Sequence, residues 1–477
     1  MIETKLNLKG RSLMVLSILL VGALIGTAVG AAMFVQGEGA PSTASGPGSI
    51  VVESNYVIFK DASGYTCARN TTTQAIEIRE TNAGLAMQKA VDRSARGNIY
   101  IKSGTYDMSR PVYTWSTSIT GDGNGTILKV TSSLYDSVLK VTNDYYKADG
   151  TLAIPKAQQS ANHPTGVTIS NLQVDGNKAV RSSGQVMRCV NFQDAINCQV
   201  RNIYAHDVSA GQGVYMTNSH YCTVRDSVFY NIGGTAFADY GTGIAFGEAS
   251  PTKVASSHIL IDNCKITKAS MSSIDMEPAN NVTITNSLFL GATTWNGYAT
   301  PVITSYAIKG YDRPNDHIMV SGNSVYGAFG EFIILTPCNY SIVSNNIVTY
   351  TAGNTAAIYS TGAHDNKITG NIIKTWGKDA IVGVNCNSYL ISDNTIIDGK
   401  NSKSNYGIRL YATSGTSYYN IVKGNQISGF NYAICEITGT NHLIVTANII
   451  KSCNVGIYLK GTDIMRTGNV LNGASDL

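Results

Sequence analysis

Two features of the sequence predict an all-β fold, a right-handed parallel β-helix made of stacked coils. First, an Asn or Asp recurs at Asn171, Asn202, Asp226, Asn263, Asn286, Asn323, Asn345, Asn371, Asn394, Asn425, Asn448 and Asn469, mostly about 21 to 26 residues apart. Second, the intervals hold short alternating apolar runs such as VTITNSLFL (282–290), divided by Gly, Asn and Ser, and none holds an apolar period of helical length. A strand with one apolar face has to bury it. A single coil cannot, whereas coils stacked in register share one continuous core. The recurrent Asn then stacks in a turn, its amide bonding to the backbone or amide of the next coil.

Composition agrees. Glycine accounts for 47 of 477 residues and charged residues for only 14%, so turn formers are plentiful and long solvated side chains are scarce. The formal charge of +4 is small and dispersed, which excludes nucleic acid as a partner. Nine cysteines without a CxxC pair exclude a zinc ribbon and a thioredoxin-like motif. Cys198 and Cys222 each stand four residues before their coil's Asn or Asp, so they are expected to stack as buried thiols in preference to a disulfide.

In chain order, Lys5, Lys9 and Arg11 precede an uncharged apolar run from Leu13 to Val35. This pattern predicts a signal peptide or a retained transmembrane anchor over 1–35, since roughly 20 apolar residues span a bilayer. Either way the remainder is expected outside the cytoplasm, extracellular or at the cell surface. Residues 36–50, rich in Gly, Pro and Ser, read as a flexible tether. Sequons at Asn70, Asn124, Asn281 and Asn339 fit an exported chain. Residues 51–130 are expected to form an N-terminal cap and the first coils, and 131–477 the β-helix repeats.

The segment 81–95, TNAGLAMQKAVDRSA, is the one good helix candidate, with Thr81 or Asn82 as its N-cap. Here the chain resembles the pectin-lyase-like superfamily. Ala86 to Asp92 match a capping helix of the AIQKAID type, Gly104 to Tyr106 a G-T-Y strand, and Gly121 to Leu128 a G-x-G-x-x-T-x-L turn. The resemblance covers most of 80–470 and implies a β-helix whose open end, otherwise an exposed apolar cross-section, is closed by the helix. It also implies a polysaccharide partner on the outward face of one stacked sheet. VDGN (174–177) resembles a turn that recurs in this superfamily, which makes Asp175 a structural residue. The polygalacturonase-like and pectate-lyase motif sets are absent, so no catalytic residue carries over by motif.

Candidate chemistry therefore comes from the pleat. The residues flanking the second apolar position of each strand point outward, and one rung, SSIDMEPANN, places Asp275 and Glu277 on the same face. Residues i and i+2 lie about 6.5 to 7 Å apart along a strand. Two carboxylates so placed repel, one pKa rises, and a proton donor beside an ionised base is what glycosidic cleavage requires. Alternatively the pair holds Ca2+ against a uronate carboxylate. Lys309, read on the following rung, would bind an acidic sugar or act as a lyase base, and Tyr215, two rungs back, would stack on a sugar ring. Ala245 and Gly247 on the intervening rung would leave room for that sugar. Long loops in the same zone bring His206, Asp207, Asp239 and Trp295 as groove-wall, substrate-binding candidates. The plainer readings are a solvated carboxylate pair, an exposed His206–Asp207 turn and a surface Lys309. The resulting expectation is an exported polysaccharide-cleaving protein, glycoside hydrolase-like. The alternatives are a Ca2+-dependent lyase or epimerase and a non-catalytic surface rod.

Overall fold

The computed structural model describes residues 54–476, apart from position 95 and positions 248–253, 292–293, 296–297, 300, 307–314, 328–329, 350–355, 401–404 and 414–416. The described residues belong to one compact unit, Ile50–Leu477. The apolar run Leu13–Val35 and the tether lie outside them. Among the described residues no helix is long and apolar enough to cross a membrane.

The unit opens with an antiparallel meander that the sequence reading did not foresee: Tyr56–Lys60, Thr66–Asn70 and Ile76–Glu80. The expected helix follows as Ala83–Arg93, and Asn82 is its cap, its side chain accepting from the Leu85 N–H at 2.9 Å. Ala86, Met87, Ala90 and Val91 on one helix face enter the common core. Gln88, also buried, is satisfied by exchanging two hydrogen bonds with the Tyr113 backbone, at 2.7 and 3.1 Å.

From there the chain winds through parallel coils. A typical coil gives two strands to a long sheet and one to a second sheet of fourteen described strands, as in Ser256–Asp262, Lys265–Ala269 and Ser272–Met276. Strands pair in register with the same position one coil away, so like side chains stack. In the fourteen-stranded sheet one inward column reads Val190, Val214, Ile244, Ile274, Ile303, Ile333, Ile358, Ile381, Ile408, Ile434 and Ile457. All are buried. Each such side chain contributes about 1.5–3 kcal/mol relative to exposure, which is why the β-branched alternation settles into this architecture.

The Asn repeat stacks as expected, in two different positions. In the earlier coils Asn202, Asp226, Asn263 and Asn286 adopt positive φ at the corner and bond outward, for example Asn202 Nδ2 to Asn171 Oδ1 at 2.7 Å. From Asn323 onward the corner position passes to Gly322, Asn345, Gly370, Asp393, Gly424, Ala447 and Gly468. The next residue, Asn323, Asn346, Asn371, Asn394, Asn425, Asn448 and Asn469, then turns inward as an amide ladder with Nδ2–Oδ1 distances of 2.9–3.0 Å. The recurrence at Asn345 is thus a corner residue, and its neighbour Asn346 is the ladder member. All nine cysteines are buried thiols, as anticipated for Cys198 and Cys222.

Candidate functional site

Ser272–Met276 is a strand because Ile274 and Met276 fill the core while Asp275 alternates outward. Register places Asp275 in an outward column that reads Lys140, Asn191, Tyr215, Ala245, Asp275, Thr304, Ile334 and Tyr359. Although it faces outward, Asp275 is only 7% exposed. The Thr304 hydroxyl donates to its Oδ1 at 2.6 Å. Burial pushes the Asp275 carboxyl up to about 7, the nearby Glu277 charge adds to the rise, and the Thr304 hydrogen bond partly offsets it. Glu277, half-buried just past the strand end, is also raised by burial. Near neutral pH this corner can therefore hold a proton on Asp275.

Tyr215 lies two rungs before Asp275, as expected. The Arg188 guanidinium sits 4.5 Å over its ring, and Arg188 also pairs with Asp136 at 2.7 Å. Burial raises the Tyr215 phenol; the cation lowers it, and the Tyr240, Glu277 and Asp275 charges raise it. The small rung between them does not provide the expected space. A Cβ on Gly247 would meet the Tyr215 hydroxyl at 2.0 Å, so the phenol occupies the volume over that glycine. Three residues earlier on each strand, Ser137, Arg188, Gln212, Thr242 and Ser272 form a parallel column. Arg188 Nε, Asn191 Oδ1, Gln212 Oε1, Thr242 Oγ1 and Ser272 Oγ are buried without a hydrogen-bond partner. Buried polar atoms are ordinarily satisfied, and these five are closed off from solvent.

The remaining predicted residues separate from this column. The rung after Asp275 is Ile303–Tyr306, where Thr304 takes the register position that had been given to Lys309. Lys309 itself lies outside the described residues. Trp295 belongs to a short hairpin, Thr294–Trp295 with Tyr298–Ala299, and its side chain is outside the described set. Asp239 ties two loops, accepting from the Ser183 hydroxyl at 2.7 Å and the Gly184 N–H at 2.8 Å. His206 and Asp207 are on the long sheet, His206 in register with Asp175 and Tyr230, and not in the sheet that carries Asp275. A groove of about 480 Å3 lined by His258, Leu260, Asn281, His317, Met319 and Tyr340 also lies on the long sheet and carries no carboxylate. Thr304, Arg188 and Tyr240 went unrecognised in the sequence. Only the strand register reveals Thr304, because ITSYAIKG lacks the small-residue anchor that marks other rungs.

Two family descriptions match this chain: "Rhamnogalacturonase A/epimerase, pectate lyase-like" over residues 68–294 and "Right handed beta helix region" over residues 307–471. The chain is a right-handed parallel β-helix of the pectin-lyase-like superfamily. No curated protein sequence matches it. Among solved structures, this β-helix is similar to tailspike protein 3 of bacteriophage CBA120, with TM-score 0.56 and 12% identity over 83% of this chain, and spans 59% of that tailspike chain. It is also similar to the tailspike of E. coli bacteriophage HK620 in complex with a pentasaccharide, with TM-score 0.53, 14% identity and coverage of 87% of this chain and 77% of that one. The mannuronan C-5 epimerase A-module of Azotobacter vinelandii aligns with TM-score 0.48 and 14% identity over 83% of this chain and 95% of its own.

Proposed function

We propose that this β-helix binds a polysaccharide across the outward face of the fourteen-stranded sheet and hydrolyses it at Asp275 and Glu277. The observation that carries this reading is the buried Asp275 carboxyl, pushed up to about 7 beside a second carboxyl on the same face. In the reaction, protonated Asp275 gives its proton to the glycosidic oxygen as the bond to the anomeric carbon breaks. Glu277 takes a proton from the incoming water, which supplies the new anomeric hydroxyl. Thr304 orients the acid, and Tyr215 with Arg188 forms a flat wall for a sugar ring. A pentasaccharide bound to the HK620 tailspike supports a polysaccharide partner for the fold. The charged-then-apolar start of the chain supports export, with 1–35 as signal or anchor and 36–50 as tether.

Two outcomes compete. With Ca2+ bridging the carboxylates and a uronate, the same pair would run a lyase or epimerase. A surface rod without catalysis is favoured by the later coils, where outward Val382 and Val384 pack with Tyr359 and Tyr411 as an apolar patch. The deciding experiment incubates the full chain, Asp275→Asn and Glu277→Gln with acidic and neutral polysaccharides. Reducing ends released by the parent and lost in both variants, with thermal unfolding no lower than the parent's, support hydrolysis. Unsaturated product supports the lyase, and no product from any polysaccharide favours the rod.

A further inference from the structure

A second group of titratable side chains sits near the corner where the long sheet hands over to the fourteen-stranded sheet. Asp175 at the end of Thr168–Asp175 pairs in register with His206 of Gln199–Val208. The two therefore occupy adjacent rungs, roughly 4.8 Å apart. Asp207 follows with φ +54 and turns its carboxylate back on the imidazole, with His206 Nδ1 to Asp207 Oδ2 at 2.8 Å. One ligand atom from each of Asp175, His206 and Asp207 lies within 4.8 Å of the other two.

The His–Asp contact alone means little, because the chain supplies its own control. His364 and Asp365 repeat it, with Asp365 at φ +57 and the same 2.8 Å Nδ1–Oδ2 distance. The pairing is thus a local consequence of a left-handed Asp after a His. What distinguishes His206 is its surroundings. Its side chain is 14% exposed against 43% for His364. Tyr204 stacks on the ring at 4.4 Å, and the carboxylate of Asp175 comes from the preceding coil. Both carboxylates are oriented from behind, Asp207 Oδ1 by the Asn231 amide at 2.5 Å and Asp175 Oδ1 by the Asn177 N–H at 2.7 Å. Such outer hydrogen bonds fix ligands in metal sites.

We propose that Asp175, His206 and Asp207 bind one divalent transition-metal cation. An imidazole with two carboxylates suits Mn2+ or Zn2+; Ca2+ prefers six to eight oxygens. Lys129, in register with Asp175 on the rung before, and Lys178, whose charge acts on Asp207, oppose the cation. They set a moderate affinity. The cation cross-links two successive coils beside the Arg188 rung, so its effect is bracing and separate from the chemistry proposed at Asp275.

The test is calorimetric titration of the full chain with MnCl2 and, separately, ZnCl2, with thermal unfolding in parallel, on the parent, His206→Ala, Asp175→Asn and His364→Ala. One cation per chain, a raised unfolding temperature, and affinity at least about tenfold weaker in His206→Ala and Asp175→Asn but unchanged in His364→Ala are expected. Should His206→Ala misfold, Asp175→Asn decides, because an amide still accepts from the Asn177 N–H. No binding by the parent at millimolar cation, or unchanged affinity in Asp175→Asn, overturns the proposal.

Discussion

The chemistry at the residue scale rests on one carboxyl that is buried on an outward-facing position. Asp275 rises from 3.8 to about 7 in the folded chain, mainly through burial. The folded state therefore binds the extra proton between those two values, and stability falls as pH rises through that window. Below about 4 both states are protonated and the effect vanishes. Above about 7 the full penalty stands, on the order of 4 kcal/mol by 1.36 kcal/mol per unit. Asp275→Asn removes the charge, so urea unfolding should find the variant more stable than the parent at pH 8 and the gap closing toward pH 4. Equal stabilities at both pH values would show that the carboxyl is not strained by burial. Thr304→Val removes the hydrogen bond that favours the ionised form, and should move any Asp275-dependent pH limb upward. Asp275 was legible in the sequence because the alternation of SSIDM fixes which residues face out. Thr304 was not, since its place depends on counting rungs through ITSYAIKG, where the register runs to Thr304 and stops short of Lys309.

The elements are held by the asparagine ladder as much as by the aliphatic columns. Asn371 accepts from the Asn346 backbone N–H at 3.0 Å and from its amide at 2.9 Å, and donates to Val343 O, Thr369 O and Asn394 Oδ1. Asn371→Ala strands a buried backbone N–H and should cost roughly 1–3 kcal/mol in urea unfolding. Asn345→Gly, at a corner with φ +55, should be nearly neutral or mildly stabilising because glycine adopts that conformation freely. If the two variants behave alike, the inward and corner positions are not energetically distinct. The sequence showed that Asn repeats but merged these two positions. The finer signal was the dipeptide before the strand: Gly322–Asn323, Asn345–Asn346, Gly370–Asn371 and Asp393–Asn394 each put a left-handed residue first and the buried amide second. The opening meander escaped notice for a related reason. Its three strands are short and antiparallel, so they share neither the spacing nor the Asn marker of the coils.

At the scale of the whole molecule, the repeat sets the stacking, and the proposed chemistry lies on the outward columns. A solenoid stacks one rung every 4.8 Å or so, so on the proposed reading a saccharide lying along the axis would meet successive rungs from Arg188 through Tyr215 to Asp275. The architecture was readable because its periodicity is written many times over. The function was only partly so, because an outward Asp on a solvated sheet and one buried against its neighbours look the same in sequence. A chelator separates the chemical classes: hydrolysis by Asp275 and Glu277 should survive EDTA unchanged, whereas a Ca2+-bridged lyase should lose its unsaturated product. The measurement that bears most directly on the central claim is the pH profile of reducing-end release by the full chain and by Asp275→Asn on the best polysaccharide found. The account predicts that the parent's activity declines as pH rises through about 7, as Asp275 loses its proton, and that Asp275→Asn is inactive throughout. Equal activity in Asp275→Asn, with the same pH profile, would contradict it.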